Sequence, residues 1–119
     1  MPAFLRKEGN VVIIDLQGRM ALGDVDEFRT RWAEAMATGS KQLIINLTRV
    51  TMMDSSGIGT MIRCHSAMSA AGGSIKVVGA NTTVRQAFKV TRLDKVFAFF
   101  DDEASALAAV NGAGAASGS

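Results

Sequence analysis

The run Leu43-Ile44-Ile45-Asn46-Leu47 constrains this chain more than any other segment. It is short and nearly all apolar, the pattern of a strand covered on both faces by helices and lying parallel to a neighbour at the centre of a sheet. A central parallel strand needs crossover helices on either side of it in sequence.

Before it, Ala3 to Glu8 and Val11 to Gln17 flank Gly9-Asn10, a pair suited to the positive φ angles of a tight hairpin. In the second of these strands Val12, Ile14 and Leu16 fall on one face and Val11, Ile13 and Asp15 on the other. The first is expected at an edge. Asp24 to Thr38 places Val25, Phe28, Trp32, Ala35 and Met36 at helical spacing, with Asp24, Asp26 and Glu27 at the dipole-favoured end and Gly39 as a stop.

Beyond the central run, a helix from about Gly57 to Ala71 carries Ile58, Met61, Ile62, His65 and Met68 along one side and ends at Gly72-Gly73. Ser74 to Val78 reads as a strand, and Thr82 to Arg92 as a helix burying Val84, Ala87, Phe88 and Thr91. Val96 to Phe100 reads as a last strand and Asp101 to Val110 as a closing helix. The order β-β-α-β-α-β-α-β-α predicts one α/β domain, a mixed and mostly parallel sheet of about five strands with about four helices and right-handed crossovers. Residues 1–110 make up that domain. Residues 111–119, rich in Gly, Ala and Ser, bury no large apolar group and are expected to be a flexible tail.

With 119 residues, 48% of them hydrophobic and 20% charged, the chain suffices for a single core. Thirteen basic groups against 11 acidic ones leave a net charge of +2, too small and too scattered for a nucleic-acid footprint. One cysteine excludes an internal disulfide. No segment approaches the ~20 apolar residues of a membrane span, and the N-terminus lacks the apolar centre of a secretory signal. The expected location is the cytoplasm, with neither nucleic acid nor membrane as a partner.

The candidate site is Asp54-Ser55-Ser56-Gly57-Ile58-Gly59, where the central strand gives way to a helix. Loops at the carboxyl ends of strands are where α/β folds place their sites. Asp54 suits the N-cap. Gly57 and Gly59 remove side chains from the first turn, so another molecule can approach the backbone. Spacing also permits a plainer reading, in which Asp54, Ser55 and Ser56 merely start a helix.

A nucleophile elbow wants Gly-x-Ser-x-Gly, but Met53 occupies the first glycine position before Ser55. The one histidine, His65, lies ten positions along the same helix, roughly 15 Å away, and cannot serve Ser55 as a base. The glycines lack the lysine or third glycine of a nucleotide loop. Cys64 and His65 diverge as helix neighbours, leaving a core thiol and a boundary imidazole in place of a metal site. No cofactor or metal is called for. There remains Ser55 as a substrate for another protein's kinase, its phosphate favoured by helix amides and dipole and repelled by Asp54.

Together with the Asn-Leu-x-x-Val stretch before it and the Gly-Gly after its helix, the hexapeptide resembles the anti-sigma-factor antagonists of the STAS domain family. Gly18, Gly72-Gly73, Val84-Arg85-Gln86-Ala87-Phe88 and Leu93-Asp94-Lys95-Val96-Phe97 stand where members carry similar groups, so the resemblance extends to about Val110. It implies a non-enzymatic regulator that, unphosphorylated, binds an anti-sigma factor of the histidine-kinase-like ATPase class and frees a sigma factor. It further implies that this ATPase phosphorylates Ser55, with Ser56 the lesser candidate, and that a metal-dependent serine phosphatase reverses the step.

Asp54 matches the acidic residue beside the acceptor, orienting the hydroxyl and ordering the loop. Partner contacts are implied for Gly18, Arg19, Met20 and Ala21 and for Asp54 through Gly59 including Ile58, while Arg85 and Lys89 are expected as contacts from their charge and spacing. A weak homodimer is compatible with the family. Ala21 departs from the acidic residue common in sporulation and general-stress antagonists, which alters the second contact loop. Related domains also act as stressosome scaffolds or as regulatory parts of transporter-associated complexes, the alternative reading for this chain.

Arg85, Lys89 and Arg92 fall at i, i+4 and i+7, a basic stripe that is either a solvated face or an electrostatic docking surface for an acidic partner. Met52, Met53, Met61, Met68 and Trp32 are read as core.

Overall fold

Alternation along Val11–Met20, strand β2, sets the two faces of the sheet. A computed structural model describes the backbone of residues 1–116 and the side chains of residues 1–110. In it Val12, Ile14 and Leu16 join one apolar cluster while Val11 and Ile13 join another on the opposite side. β1 (Ala3–Glu8) pairs antiparallel with β2 and lies at the edge, as expected. Glu8 faces Val11 across a two-residue turn in which Gly9 has φ +59°, glycine at the first central position being the type II′ arrangement.

β3 (Gln42–Met53), β4 (Ser74–Val78) and β5 (Ala98–Phe100) follow in parallel, giving five strands in sheet order β1-β2-β3-β4-β5. Helices α1 (Asp26–Ala37), α2 (Ser55–Ala70) and α3 (Thr82–Val90) cross over between successive parallel strands. All three contribute to the larger cluster, through Phe28 and Ala35, through Met61, Cys64 and Met68, and through Val84 and Phe88. Crossovers of one hand between strands laid down in order bring their helices to one face. α4 (Glu103–Ala116) takes the other face, where Ala106 meets Val11, Ile13, Ile44 and Val78. Ile44 and Ile45 are thus covered on opposite sides, each such side chain contributing about 1.5–3 kcal/mol.

Asn46, the polar member of the central run, anchors that second layer. Its amide nitrogen donates to Glu103 Oε2 at 2.7 Å, and its Oδ1 accepts from the Thr48 amide at 2.9 Å. Arg6 donates to Asp15 from Nε at 2.5 Å and also pairs with Glu103.

Several boundaries differ from the sequence reading. β3 runs six residues past Leu47, through a half-exposed stretch that pairs only with β2 and is irregular at two points of the ladder. β2 likewise continues through Gly18 to Met20, with Gly18 at φ +88°. Ile62 is exposed and Cys64 takes its place on the buried side of α2. Thr91 is exposed, its hydroxyl donating to Ala87 O at 2.8 Å as the helix closes. A short 3₁₀ turn, Leu93–Lys95, occupies the approach to β5. The tail expected over residues 111–119 lies outside the residues with described side chains, and 117–119 lie outside the description altogether; the backbone of α4 extends to Ala116.

Candidate functional site

Because β2 and β3 are parallel and Met20 pairs with Met53, both strands end side by side and their following loops meet. The Asp54 amide donates to Met20 O at 3.2 Å, locking the two exits together. Asp54 itself is extended, with φ −100° and ψ −170°, and is the N-cap of α2. Its Oδ1 accepts from the Ser56 amide at 2.8 Å and the Gly57 amide at 3.1 Å, while Oδ2 accepts from the Leu22 amide at 3.1 Å. One carboxylate therefore starts the helix and ties down the loop after β2. The Leu22 amide first, then that of Gly57, hold its pKa below the ordinary carboxylate value.

Ser55 is the first residue of α2 and is exposed, whereas Ser56 is half-buried. Three amides at the helix start are engaged: Ser56 and Gly57 by the Asp54 side chain, and Ile58 by Asp54 O at 3.0 Å. A phosphate on Ser55 would share these three amides with Asp54. Thr60, fully buried, donates to Ser56 O at 2.8 Å, so the first turn is braced from beneath.

The two glycines have different jobs. A Cβ on Gly57 would stand 2.3 Å from Met20 O and 2.7 Å from Met53 Cγ, so Gly57 permits α2 to pack on the strand ends rather than opening the loop to another molecule. A Cβ on Gly59 would meet only Arg63 Nη1, at 4.0 Å. Only Gly59 leaves the helix surface open.

Of the residues singled out in the sequence, Gly18, Arg19, Ala21, Asp54, Ser55, Ser56 and Gly59 reach the surface to some degree. Arg19 pairs with Asp24 at 3.6 Å. Met20 is completely buried and Ile58 nearly so, so they shape the loops from below and offer a partner no side chain. Arg85 and Lys89 line a separate depression with Asp94 and Phe99, away from the Ser55 loop. The Arg85 guanidinium sits 5.0 Å over the Phe99 ring and 3.9 Å from Asp101. Arg92 has left the helix in a left-handed conformation, φ +62°, and does not extend the stripe.

His65 is half-buried with its ring 5.1 Å from that of Phe97, and Cys64 is buried, its thiol pushed up to about 12. Neither reaches Ser55. Trp32 is partly buried and packed against the core, with its ring 6.4 Å from Phe28. Sequence reasoning passed over Leu22, which stands 82% exposed directly beside the Asp54 cap, and Arg63, which folds over Gly59. The i, i+4, i+8 spacing of Ser55, Gly59 and Arg63 was the available signal for the second.

The STAS domain family model matches residues 4–106. The chain is 26% identical over 98 residues to the anti-sigma F factor antagonist of Paenibacillus polymyxa, covering 82% of this chain and 84% of that one. The structure of the anti-sigma factor antagonist SpoIIAA in its unphosphorylated form superimposes with a TM-score of 0.79 at 26% identity, over 93% of this chain and 97% of that one. The phosphorylated form of the Bacillus cell fate determinant SpoIIAA gives 0.71 at 24%, over 92% and 99%. Anti-sigma-factor antagonists are non-enzymatic regulatory proteins. No helix among the described residues is long and apolar enough to cross a membrane. By its match from Phe4 to Ala106, by its five-stranded fold and by its relatives, the chain belongs to the STAS domain family as a distant homologue of the anti-sigma-factor antagonists.

Proposed function

We propose that the chain is a cytoplasmic anti-sigma-factor antagonist switched off by phosphorylation of Ser55. The observation that carries this reading is an exposed serine hydroxyl at a helix start whose neighbour, Asp54, is immobilised by three amides. The surface formed by Arg19, Ala21, Leu22, Asp54, Ser55 and Gly59 docks on an anti-sigma factor with a histidine-kinase-like ATPase fold, displacing the sigma factor. Gly18 and Ser56 complete its margin, and Met20, Gly57 and Ile58 hold it in shape. Arg85 and Lys89 form a second, electrostatic patch that raises association rate more than affinity.

In the phosphorylation step Ser55 Oγ attacks the γ-phosphorus of ATP held by the partner, the hydroxyl proton passes to a partner base, and the bond to ADP breaks. The added ~1.5 to 2 negative charges sit beside Asp54 and would have to be desolvated in the interface, which weakens the complex. A serine phosphatase restores the hydroxyl by hydrolysis, releasing inorganic phosphate. SpoIIAA, known in unphosphorylated and phosphorylated forms, supports this reading. Residues 1–110 carry the switch. The test is phosphosite mapping after incubation with the cognate kinase and ATP: phosphate on Ser55, abolished by Ser55→Ala, is expected, and phosphate on another residue refutes the assignment.

A further inference from the structure

Resting on that reading, we infer that Arg63 is the intramolecular counter-ion of phosphorylated Ser55, drawing the phosphate along α2 across Gly59. Three features of the structure converge on it. Asp54 already holds the Ser56, Gly57 and Ile58 amides, so a phosphate on Ser55 would have to compete with it for most of the donors at the helix start. Next, Arg63 is exposed and has no ion-pair or hydrogen-bond partner among the described residues, while Arg19, the cation of the neighbouring loop, already faces Asp24.

Third, the Arg63 side chain is folded toward the N-terminal end of α2, its Nη1 only 4.0 Å from where a Cβ on Gly59 would stand. Side chains on a helix lean toward its N-terminus, which favours that course. Ser55 is one further turn along the same face, about 5–6 Å. A phosphoserine and an arginine, each reaching over a glycine with no side chain in between, can close that gap, and a guanidinium binds phosphate through two parallel N–H donors.

The charged groups facing the phosphate are then Asp54, which repels it, and Arg63, which attracts it, with the Arg19–Asp24 pair across the loop. Phosphorylation would thus do two things at once on the partner-facing surface: place an anion there and withdraw the Arg63 cation from it.

The inference is tested without the kinase, by incorporating phosphoserine at position 55 during translation and following its ³¹P resonance against pH. Free phosphoserine has its second pKa near 6. Arg63→Gln is expected to raise the measured value by about half a unit relative to the Arg63 protein, in line with an exposed cation beside an anion. Arg63→Lys should recover part of the difference, and 1 M salt should shrink it. Arg19→Gln should leave it unmoved. Equal values for the Arg63 protein and Arg63→Gln would overturn the inference, as would a shift found with Arg19→Gln alone. Because the phosphate is supplied synthetically, failure here leaves kinase phosphorylation of Ser55 intact, and a kinase that modifies another residue leaves this ion pair standing.

Discussion

Gly57 and Gly59 are two residues apart, yet substitution at each should have opposite signs. A methyl group on Gly57 collides with the Met20 carbonyl, a backbone atom that cannot move without disturbing the β2–β3 ladder, so Gly57→Ala should cost about 2 kcal/mol or more in urea unfolding. Gly59→Ala meets only the end of Arg63 and should gain about 0.5–1 kcal/mol from helix propensity. Asp54 has a pH signature as well. Its pKa is depressed in the folded chain, so its ionised form stabilises folding fully above about pH 4 and that contribution fades as pH falls through the lower folded value. Asp54→Ala should therefore lower the urea midpoint at pH 7, and the gap to the parent protein should narrow by pH 3. The buried Cys64 thiol should be inert to iodoacetamide at pH 8 in the folded protein and react once urea unfolds it.

At the scale of elements, the end of α3 stores a small strain. Arg92 is the only non-glycine residue among those described with a positive φ, at a position where helices commonly end in glycine. Arg92→Gly should raise stability by about 1 kcal/mol, read from the same unfolding curves. The basic stripe expected through Arg92 failed because i+7 spacing assumes a helix that in fact stops at Val90. A similar limit explains β3. Its buried core, Leu43 to Leu47, was legible because two helical layers demand an apolar run. Its continuation, Thr48 to Met53, alternates unevenly across a bulged ladder, and no simple period reveals it. The N-cap role of Asp54 was legible from residue type and position. Its reach to Leu22 was not, since that bond spans 32 residues and depends on β2 and β3 ending in register.

Across the whole molecule, element order made the layered α/β architecture readable, and the chain that follows it places the Ser55 loop at the carboxyl end of adjacent parallel strands. Which glycine opens the surface and which one closes it became clear only from packing, as did the burial of Met20 beneath the loops. The molecule thus presents Ser55, Leu22 and Gly59 together at one end of the sheet, while Arg85 and Lys89 occupy a second patch. The central claim, that charge on Ser55 governs binding at this end, is tested most directly by a side-by-side pull-down from native cytosol with the parent protein, Ser55→Ala and Ser55→Asp. An ATPase-fold partner should be retained by the parent and by Ser55→Ala, and bound at least tenfold more weakly by Ser55→Asp. Equal recovery of that partner by Ser55→Ala and Ser55→Asp would contradict the account.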